Sequence, residues 1–152
     1  VVTRFFALIE PDIAVFGEKD YQQLSIIRHV VAKENWPVEI VPGPISREAD
    51  GLAMSSRNMR LLPHERKESA QIYAVLSRAI STLDLEKTTR KTFEKACIKA
   101  LDAVPSIRVE YVSCCDAATL QPLDEFNTSR PARVFAAVQC GKVRLIDNLP
   151  LF

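Results

Sequence analysis

The sequence lacks any apolar run long enough to cross a membrane, and it carries almost no net charge. Of its 152 residues, 20 are Lys or Arg and 19 are Asp or Glu, which gives a formal net charge of +1. No stretch approaches the roughly 18 consecutive apolar residues that a transmembrane helix needs. A balanced charge produces no overall attraction to nucleic acid or to anionic lipid. We therefore expect neither a nucleic-acid partner nor a membrane partner.

Paired cysteines and a secretion signal are also missing. The four cysteines, Cys97, Cys114, Cys115 and Cys140, form no C-x-x-C pair. Adjacent cysteines rarely bridge each other, because the resulting ring is strained. The amino-terminal residues contain no basic segment and no cleavage site. The cysteine spacing therefore favours reduced thiols over metal or redox chemistry. The missing secretion signal favours a cytoplasmic location.

The length predicts one domain, or one and a half, with enough residues to bury a core. Charged residues make up 26% of the chain and apolar residues 47%, which is typical of a globular protein rather than a disordered one. The first residues resemble the middle of a helix and include no initiator Met. We therefore expect the chain to be part of a longer protein.

The first third of the chain has the pattern of a βαβ unit. Residues 1–9 predict a helix, and the apolar run 13–16 before Gly17 predicts a strand buried on both faces. A helix is expected to begin at Asp20, with apolar positions three and four apart, and to end near Asn35. Residues 38–41 predict a second strand, parallel to the first. Such a sheet needs further strands to cover it.

The rest of the chain predicts a small α+β domain. Residues 42–62 are expected to form a linker and an ordered loop. Pro63 predicts a helix start with Ala70, Tyr73, Leu76 and Ile80 on one face. A second helix carries an apolar stripe from Phe93 to Val104, and strands are predicted at 108–115, 134–139 and 143–146, with a hairpin loop at 140–142. The expected fold class is α/β, with domains at 1–46 and 47–152.

A first candidate site is the sequence FGEKDYQQ at residues 16–23, at the carboxyl end of the predicted parallel strand. Ligands of open α/β sheets bind at such ends. Gly17 would let a ligand approach the backbone, and Lys19 offers a charge suited to phosphate. Alternatively, Asp20 and Gln23 fit a capping box and have a purely helical role. The spacing alone leaves both interpretations open.

A second candidate site is the sequence DGLAMSSRN at residues 50–58. The hydroxyls of Ser55 and Ser56 beside the Arg57 guanidinium are groups that hold a polyphosphate well. Alternatively, the stretch is a solvated turn in which Ser or Asn caps the next helix.

Taken together, FGEKDYQQL (residues 16–24) and READGLAMSSRN (residues 47–58) closely resemble two signatures of the pantoate–β-alanine ligase family. Further similar stretches are TRF at 3–5, PVEIV at 37–41 and RLIDN at 144–148. The resemblance covers essentially the whole chain. It implies the last βαβ part of a Rossmann-like nucleotidylyltransferase domain, followed by a small α+β domain with two helices on an antiparallel sheet.

The resemblance also implies an activity. Members join pantoate to β-alanine with ATP and Mg²⁺, through a pantoyl adenylate, releasing AMP and pyrophosphate, and they are usually homodimers. In this family the first motif lines the ATP site, and the segment of the second motif that follows Ala53 closes over the ATP phosphates. Gln23 would bind pantoate, and Lys19, Ser55, Ser56 and Arg57 would act in catalysis. The residues implied to bind ATP are Gly17, Glu18, Lys19, Asp20, Ser46 (through its backbone), Met54, Ser55, Ser56 and Arg57.

Two elements of the family pattern do not occur in these residues: the HxGH motif with its catalytic histidine, and a first pantoate-binding glutamine. His29 and His64 do not match that motif, and we assign neither a catalytic role. Two hypotheses follow. The chain is the C-terminal half of a ligase and is inactive alone, or it is a non-catalytic module that docks on an N-terminal partner bearing HxGH.

Overall fold

The computed structural model describes residues 1–152, which divide into two units, Val1–Ile45 and Ser46–Phe152. None of the helices is both long enough and apolar enough to span a membrane. The helices are α1 (Val2–Ile9), α2 (Tyr21–Lys33), α3 (Pro63–Ser69), α4 (Gln71–Ser81) and α5 (Arg90–Asp102). The strands are β1 (Ile13–Gly17), β2 (Glu39–Gly43), β3 (Ile107–Asp116), β4 (Ala132–Cys140) and β5 (Val143–Pro150).

The first unit contains the predicted βαβ arrangement. Strands β1 and β2 pair in parallel from Ile13 opposite Glu39 to Gly17 opposite Gly43, and α2 lies between them in the chain. The strand β2 runs two residues further than the sequence predicts, because Pro42 continues the pairing. Proline is tolerated where its missing N–H faces away from the ladder. The predicted parallel sheet is therefore confirmed, and its carboxyl ends lie at two glycines.

The burial of β1 differs from the prediction. Ile13 and Val15 are 57% and 67% exposed, whereas Ala14 and Phe16 are half-buried. The Phe16 ring meets Phe6 of α1 edge-on, with centroids 6.3 Å apart. A parallel strand is buried on both faces only when helices cover both. The sheet in this chain has two strands, and the face with Ile13 and Val15 has no covering layer.

The second unit packs helices on an antiparallel sheet with strand order β3-β4-β5. Strand β4 is central, and its residues from Ala132 to Val138 are all buried. The core joins α4, α5 and one face of the sheet, with Leu76, Leu101, Val134 and Val138 all inaccessible. The predicted α/β fold class, a parallel sheet followed by helices on an antiparallel sheet, is confirmed.

Two helical details differ from the sequence prediction. The helix expected from Pro63 to Ile80 is two successive helices, α3 and α4, separated at Ala70, which keeps helical dihedral angles (φ −61°, ψ −22°). The helix α5 ends at Asp102, so Val104 lies beyond it, although its side chain still packs against the core. The predicted spacing of apolar residues along these helices is therefore confirmed. Only the helix boundaries differ, as is usual for helix ends.

The cysteines are all free and buried. Burial raises the pKa of the Cys97 thiol to about 11, and the nearby Glu94 carboxylate adds to the shift. Burial likewise raises the pKa of Cys140 to about 11 and raises that of Cys114 further. Thiols of this kind are protonated at neutral pH and act as small apolar side chains.

Candidate functional site

The carboxyl end of β1 leaves open space above Gly17. Its dihedral angles, φ −68° and ψ 133°, are open to any residue. A Cβ added there would meet no atom within 4 Å. Neither conformation nor crowding in the first unit therefore requires glycine. The absence of a side chain is instead suited to a ligand that approaches the backbone at this strand end.

The chain passes from β1 into α2 through a short 3-10 turn, Glu18–Asp20. Asp20 occupies the N-cap position of α2, but its side chain makes no capping hydrogen bond. Its dihedral angles, φ −95° and ψ 55°, lie outside the extended region that a capping residue normally adopts. The capping-box alternative for Asp20 and Gln23 is therefore wrong, because the 3-10 turn changes how the chain enters the helix.

Gln23 instead borders a pocket of about 520 Å³ between α1 and α2. Most of the lining is apolar, and the amides of Gln22 and Gln23 are its main polar groups. This volume and composition suit a small molecule with an apolar body and one polar end. The lining residues are Val1, Val2, Thr3, Phe6, Gln22, Gln23, Ile26, Ile27, Val30 and Trp36.

Residues 47–53, here called the turn segment, form a closed and hydrogen-bonded loop in the second unit. An antiparallel bridge joins Arg47 to Ala53, and the N–H of Met54 donates to the carbonyl of Ser46 at 2.9 Å. Within the loop, the N–H of Gly51 donates to the carbonyl of Glu48. The turn that the sequence offered as an alternative is therefore present, exposed at residues 49 and 50. The backbone here is ordered by its own hydrogen bonds.

The turn segment is held to the sheet by Arg47. Its guanidinium donates to both carboxylate oxygens of Asp147 on β5, at 2.7 and 2.9 Å, and to the carbonyl of Gly51 at 3.0 Å. The same guanidinium lies 4.2 Å from the centroid of the Tyr73 ring. Sequence reasoning missed Arg47, Tyr73 and Asp147. Arg47 and Asp147 lie 100 positions apart, and the only signal was that both fall in stretches that resemble the family.

Residues 54–57, here called the serine–arginine segment, follow the turn segment directly. The hydroxyl of Ser55 accepts from the N–H of Arg57 at 3.3 Å and caps the 3-10 helix Ser56–Arg60. Ser56 and Arg57 are exposed, and the Arg57 guanidinium has no hydrogen-bond or ion-pair partner. Both predicted roles of the serines are therefore compatible, because Ser55 caps while Ser56 and Arg57 remain available to an anion.

An exposed ion pair stabilises the far side of the turn segment. Arg66 of α3 lies 2.7 Å from Asp50, and the hydrogen bond from that guanidinium lowers the pKa of the Asp50 carboxyl. Asp50 also accepts from the N–H of Leu52 at 3.2 Å. Its side chain is 43% exposed, against 3% for that of Asp147. The two carboxylates thus hold the same loop from very different environments.

The predicted site residues therefore fall into two groups. Glu18, Lys19 and Asp20 lie in the turn after Gly17, one helical turn before Gln23. Ser46 and the serine–arginine segment lie together in the second unit, where the Ser46 side chain is exposed and its carbonyl is already bonded to Met54. No three His, Cys, Asp or Glu side chains converge into a set that could hold a metal ion.

Comparison with known proteins gives consistent matches. The family model described as pantoate-beta-alanine ligase matches residues 1–150. A pantothenate synthetase of Hyphomonas neptunium is 43% identical over 98% of this chain and 52% of that protein. The pantothenate synthetase of Clostridium botulinum is 40% identical over 97% of this chain and 52% of that protein.

Solved structures show the same similarity. The crystal structure of pantothenate synthetase from Thermus thermophilus superposes with a TM-score of 0.89 at 39% identity, covering 99% of this chain and 54% of that one. A pantoate-beta-alanine ligase from Francisella tularensis, complexed with beta-gamma ATP and beta-alanine, gives a TM-score of 0.67 at 25% identity, covering 99% and 48%.

The chain thus spans about half the length of the curated relatives that it matches. Within that half, the family model extends over all but the last two residues, and the fold agrees with a relative of known structure. The sequence motifs and the geometry of both candidate sites fall inside the matched region. The chain therefore belongs to the pantoate–β-alanine ligase family.

Proposed function

We propose that this chain is part of an enzyme that joins pantoate to β-alanine with ATP, a step in making coenzyme A. Family membership supports the overall reaction. The relative from Francisella tularensis, complexed with beta-gamma ATP and beta-alanine, supports the use of those two substrates. The adenylate intermediate and the residue roles below are our own proposals.

The observation that carries the proposal is the contrast between the two parts of the second motif. The turn segment is fixed to the sheet through Arg47, whereas Ser56 and Arg57 of the serine–arginine segment are exposed and unpaired. A guanidinium without a partner beside hydroxyl donors suits the oxygens of a phosphate chain. An anchored turn segment followed by unpaired anion-binding groups favours ATP as the ligand of the serine–arginine segment.

The reaction we propose has two steps. The carboxylate of pantoate attacks the α-phosphorus of MgATP, forming a pantoyl adenylate and releasing pyrophosphate. The amine of β-alanine, which has lost a proton, then attacks the acyl carbon, so that the amide forms and AMP leaves. In the first step negative charge grows on the phosphates and on the leaving pyrophosphate. Lys19 and Arg57 would stabilise that charge, with Ser55 and Ser56 as neutral donors.

The pantoate site would include Gln23. Its side chain is exposed at the edge of the apolar pocket between α1 and α2, and it is not occupied in capping the helix. An amide can donate to a carboxylate or accept from a hydroxyl, and pantoate carries both groups. Gly17 would leave room for ATP at the neighbouring strand end, and Glu18, Asp20, Ser46 and Met54 would complete the nucleotide contacts.

Three further proposals rest on the resemblance to the family. Magnesium would enter with the substrate as MgATP, since Mg²⁺ is usually held by substrate phosphates, water and few carboxylates. The intact enzyme would be a homodimer. The location would be cytoplasmic, which agrees with four free and buried thiols.

A matched pair of arginine variants in a ligase that contains these residues tests the loop. Arg57→Ala should raise the KM for ATP and lower adenylate formation by about 100-fold, since a charged donor at the phosphates is removed. Arg60→Ala removes another exposed guanidinium from the same 3-10 helix and should change both by less than about twofold. Pyrophosphate exchange and steady-state kinetics measure these effects. Equal losses in the two variants, or none in Arg57→Ala, would contradict the assignment.

The 152-residue polypeptide by itself should not make pantothenate. The resemblance places the HxGH histidines and the first pantoate-binding glutamine outside these residues, and groups that act together are strongly non-additive. Mixing the purified polypeptide with pantoate, β-alanine and MgATP should yield no AMP, and adding the missing portion as a separate chain should restore turnover. Robust turnover by the polypeptide alone would overturn this division of the site. Failure of any complemented or intact form would instead favour a non-catalytic module.

A further inference from the structure

The ion pair between Arg47 and Asp147 in the second unit is well shielded from solvent. The Asp147 side chain is 3% exposed and that of Arg47 18%. Both carboxylate oxygens accept from the guanidinium, and Oδ1 also accepts from the N–H of Asn148 at 2.8 Å. Burying charges costs free energy that a well-packed apolar pair would not, so such a pair is weak evidence for stability. Its geometry instead favours a role in fixing one arrangement of the chain.

The contacts of Arg47 lead from the sheet to the turn segment. The guanidinium reaches the carbonyl of Gly51 and lies over the Tyr73 ring. Gly51 has φ +90°, and a Cβ built on it would overlap Cδ1 of Tyr73. The turn therefore sits directly on the ring, and the ring in turn supports the guanidinium. Asp147 is the only group of this cluster anchored in the sheet.

Hydrogen bonds connect the turn segment to the serine–arginine segment. Its ends are bridged at Arg47 and Ala53, and the N–H of Met54 donates to the carbonyl of Ser46. The side-chain amide of Asn58 donates to the carbonyl of Ala53 at 3.1 Å. The serine–arginine segment thus has hydrogen-bonded backbone on both sides. A shift of Arg47 would move Ser55 and Arg57 with it.

We propose that Asp147 is a positioning residue for ATP: through Arg47 it sets where the serine–arginine segment presents its hydroxyl and guanidinium groups. The proposal rests on the proposed function, in which that segment holds the ATP phosphates. Asp147 itself touches no substrate. Placing anion-binding groups to within about an ångström matters, because small displacements of such groups reduce rates by roughly 100-fold.

The test uses Asp147→Asn, with Asp50→Asn as its control. Both substitutions remove one negative charge from a carboxylate that holds the same loop, but Asp50 belongs to the exposed pair with Arg66. In hydrogen exchange on the 152-residue chain, Asp147→Asn should speed exchange of residues 46–58 about tenfold or more, because the anchor is lost. Exchange in β3 and β4 should stay unchanged, and Asp50→Asn should speed exchange of residues 46–58 by no more than about twofold, because an exposed ion pair contributes little.

The kinetic readout uses a ligase that contains these residues. Asp147→Asn should raise the KM for ATP about tenfold, with the KM for pantoate within about twofold, since the pantoate groups lie elsewhere. Arg47→Lys, which keeps the charge and loses the two-pronged contact, should act in the same direction. A purely structural role would instead lower the amount of active enzyme and leave both KM values unchanged.

Several results would overturn the proposal. Wild-type exchange in a folded Asp147→Asn chain would show that the pair does not hold the loop. If neither Asp147→Asn nor Arg47→Lys folded, the ion pair would be required for folding, and a specific positioning role would be refuted. Faster hydrogen exchange with an unchanged KM for ATP would show that the position of the loop does not affect nucleotide binding. If the wild-type ligase itself formed no pantothenate from ATP while exchange rose as expected, the proposed function would fail and the anchoring of the loop would stand.

Discussion

Replacing Gly51 with alanine should destabilise the second unit, and the structure allows the size of the effect to be worked out. Gly51 has φ +90°, where a residue with a Cβ is strained by roughly 1–2 kcal/mol. The added Cβ would overlap Cδ1 of Tyr73 and lie 3.0 Å from Cε1, so the ring must move. Moving it weakens the contact with the Arg47 guanidinium 4.2 Å away, a further loss of roughly 0.5–2 kcal/mol.

The two contributions together predict a loss of about 1.5–4 kcal/mol in the free energy of unfolding. For a chain of this size, that corresponds to a fall in Tm of roughly 3–16 °C. Thermal unfolding followed by far-UV circular dichroism, supported by urea titration, measures the change. Fluorescence of the single tryptophan, Trp36, reports on the first unit separately.

Gly17→Ala is the matched control. Gly17 has φ −68° and open space around a built Cβ, so alanine should leave stability unchanged or raise it by about 0.4–1 kcal/mol. Within the proposed function it should nevertheless weaken ATP binding. A Tm for Gly51→Ala within about 1 °C of the wild type would refute the reasoning, because neither the strain nor the displacement of Tyr73 would then exist.

The remaining predictions concern catalysis and the thiols. In a ligase containing these residues, Lys19→Ala should lower pyrophosphate exchange by about 100-fold or more, because a cation beside the phosphates is lost, and a wild-type rate would contradict the role. Gln23→Glu should raise the KM for pantoate about tenfold, because like charges repel, with helix α2 unharmed; an unchanged KM would exclude Gln23 from the site. Stability should fall as pH rises from about 9 to 11, because the thiols of Cys97 and Cys140 have their ordinary pKa of 9.0 when unfolded but a pKa of about 11 when folded. Urea titrations at both ends of that range measure the effect, and a Cys97→Ala variant should show a smaller pH dependence.

Local pattern was sufficient for most of the secondary structure. The spacing of Leu24, Ile27 and Val31 predicts α2, and all three are buried. The strand-like residues on either side of Cys140-Gly141-Lys142 predict the hairpin, and β4 and β5 pair across it. Gly141 in this loop has φ +54°. These features were predictable because the periods of helices and strands are properties of neighbouring residues. The two motifs likewise indicated a candidate site through their resemblance to the family.

The sequence could not predict features that depend on contacts between distant residues. Strand β1 looks buried from its composition, yet Ile13 and Val15 are exposed, because burial depends on what other layers are present. Asp20 has the residue type of a cap, but the 3-10 turn before it decides its dihedral angles. The burial of β1 is therefore set by packing rather than by local preference, whereas the type of turn that Asp20 enters could not be read from its residue type alone.

The sequence by itself determined the family, the element types and the residues with the chemistry to hold phosphate. Only the tertiary structure decided which of the motif residues are free for a ligand and which are tied into the fold. Arg47 and Arg57 carry the same side chain in the same motif. Arg47 is held by a carboxylate 100 positions away in the chain, whereas Arg57 has no partner. The physical reason is that pairing depends on which groups the fold brings within hydrogen-bond distance, and no local pattern in the sequence records that distance.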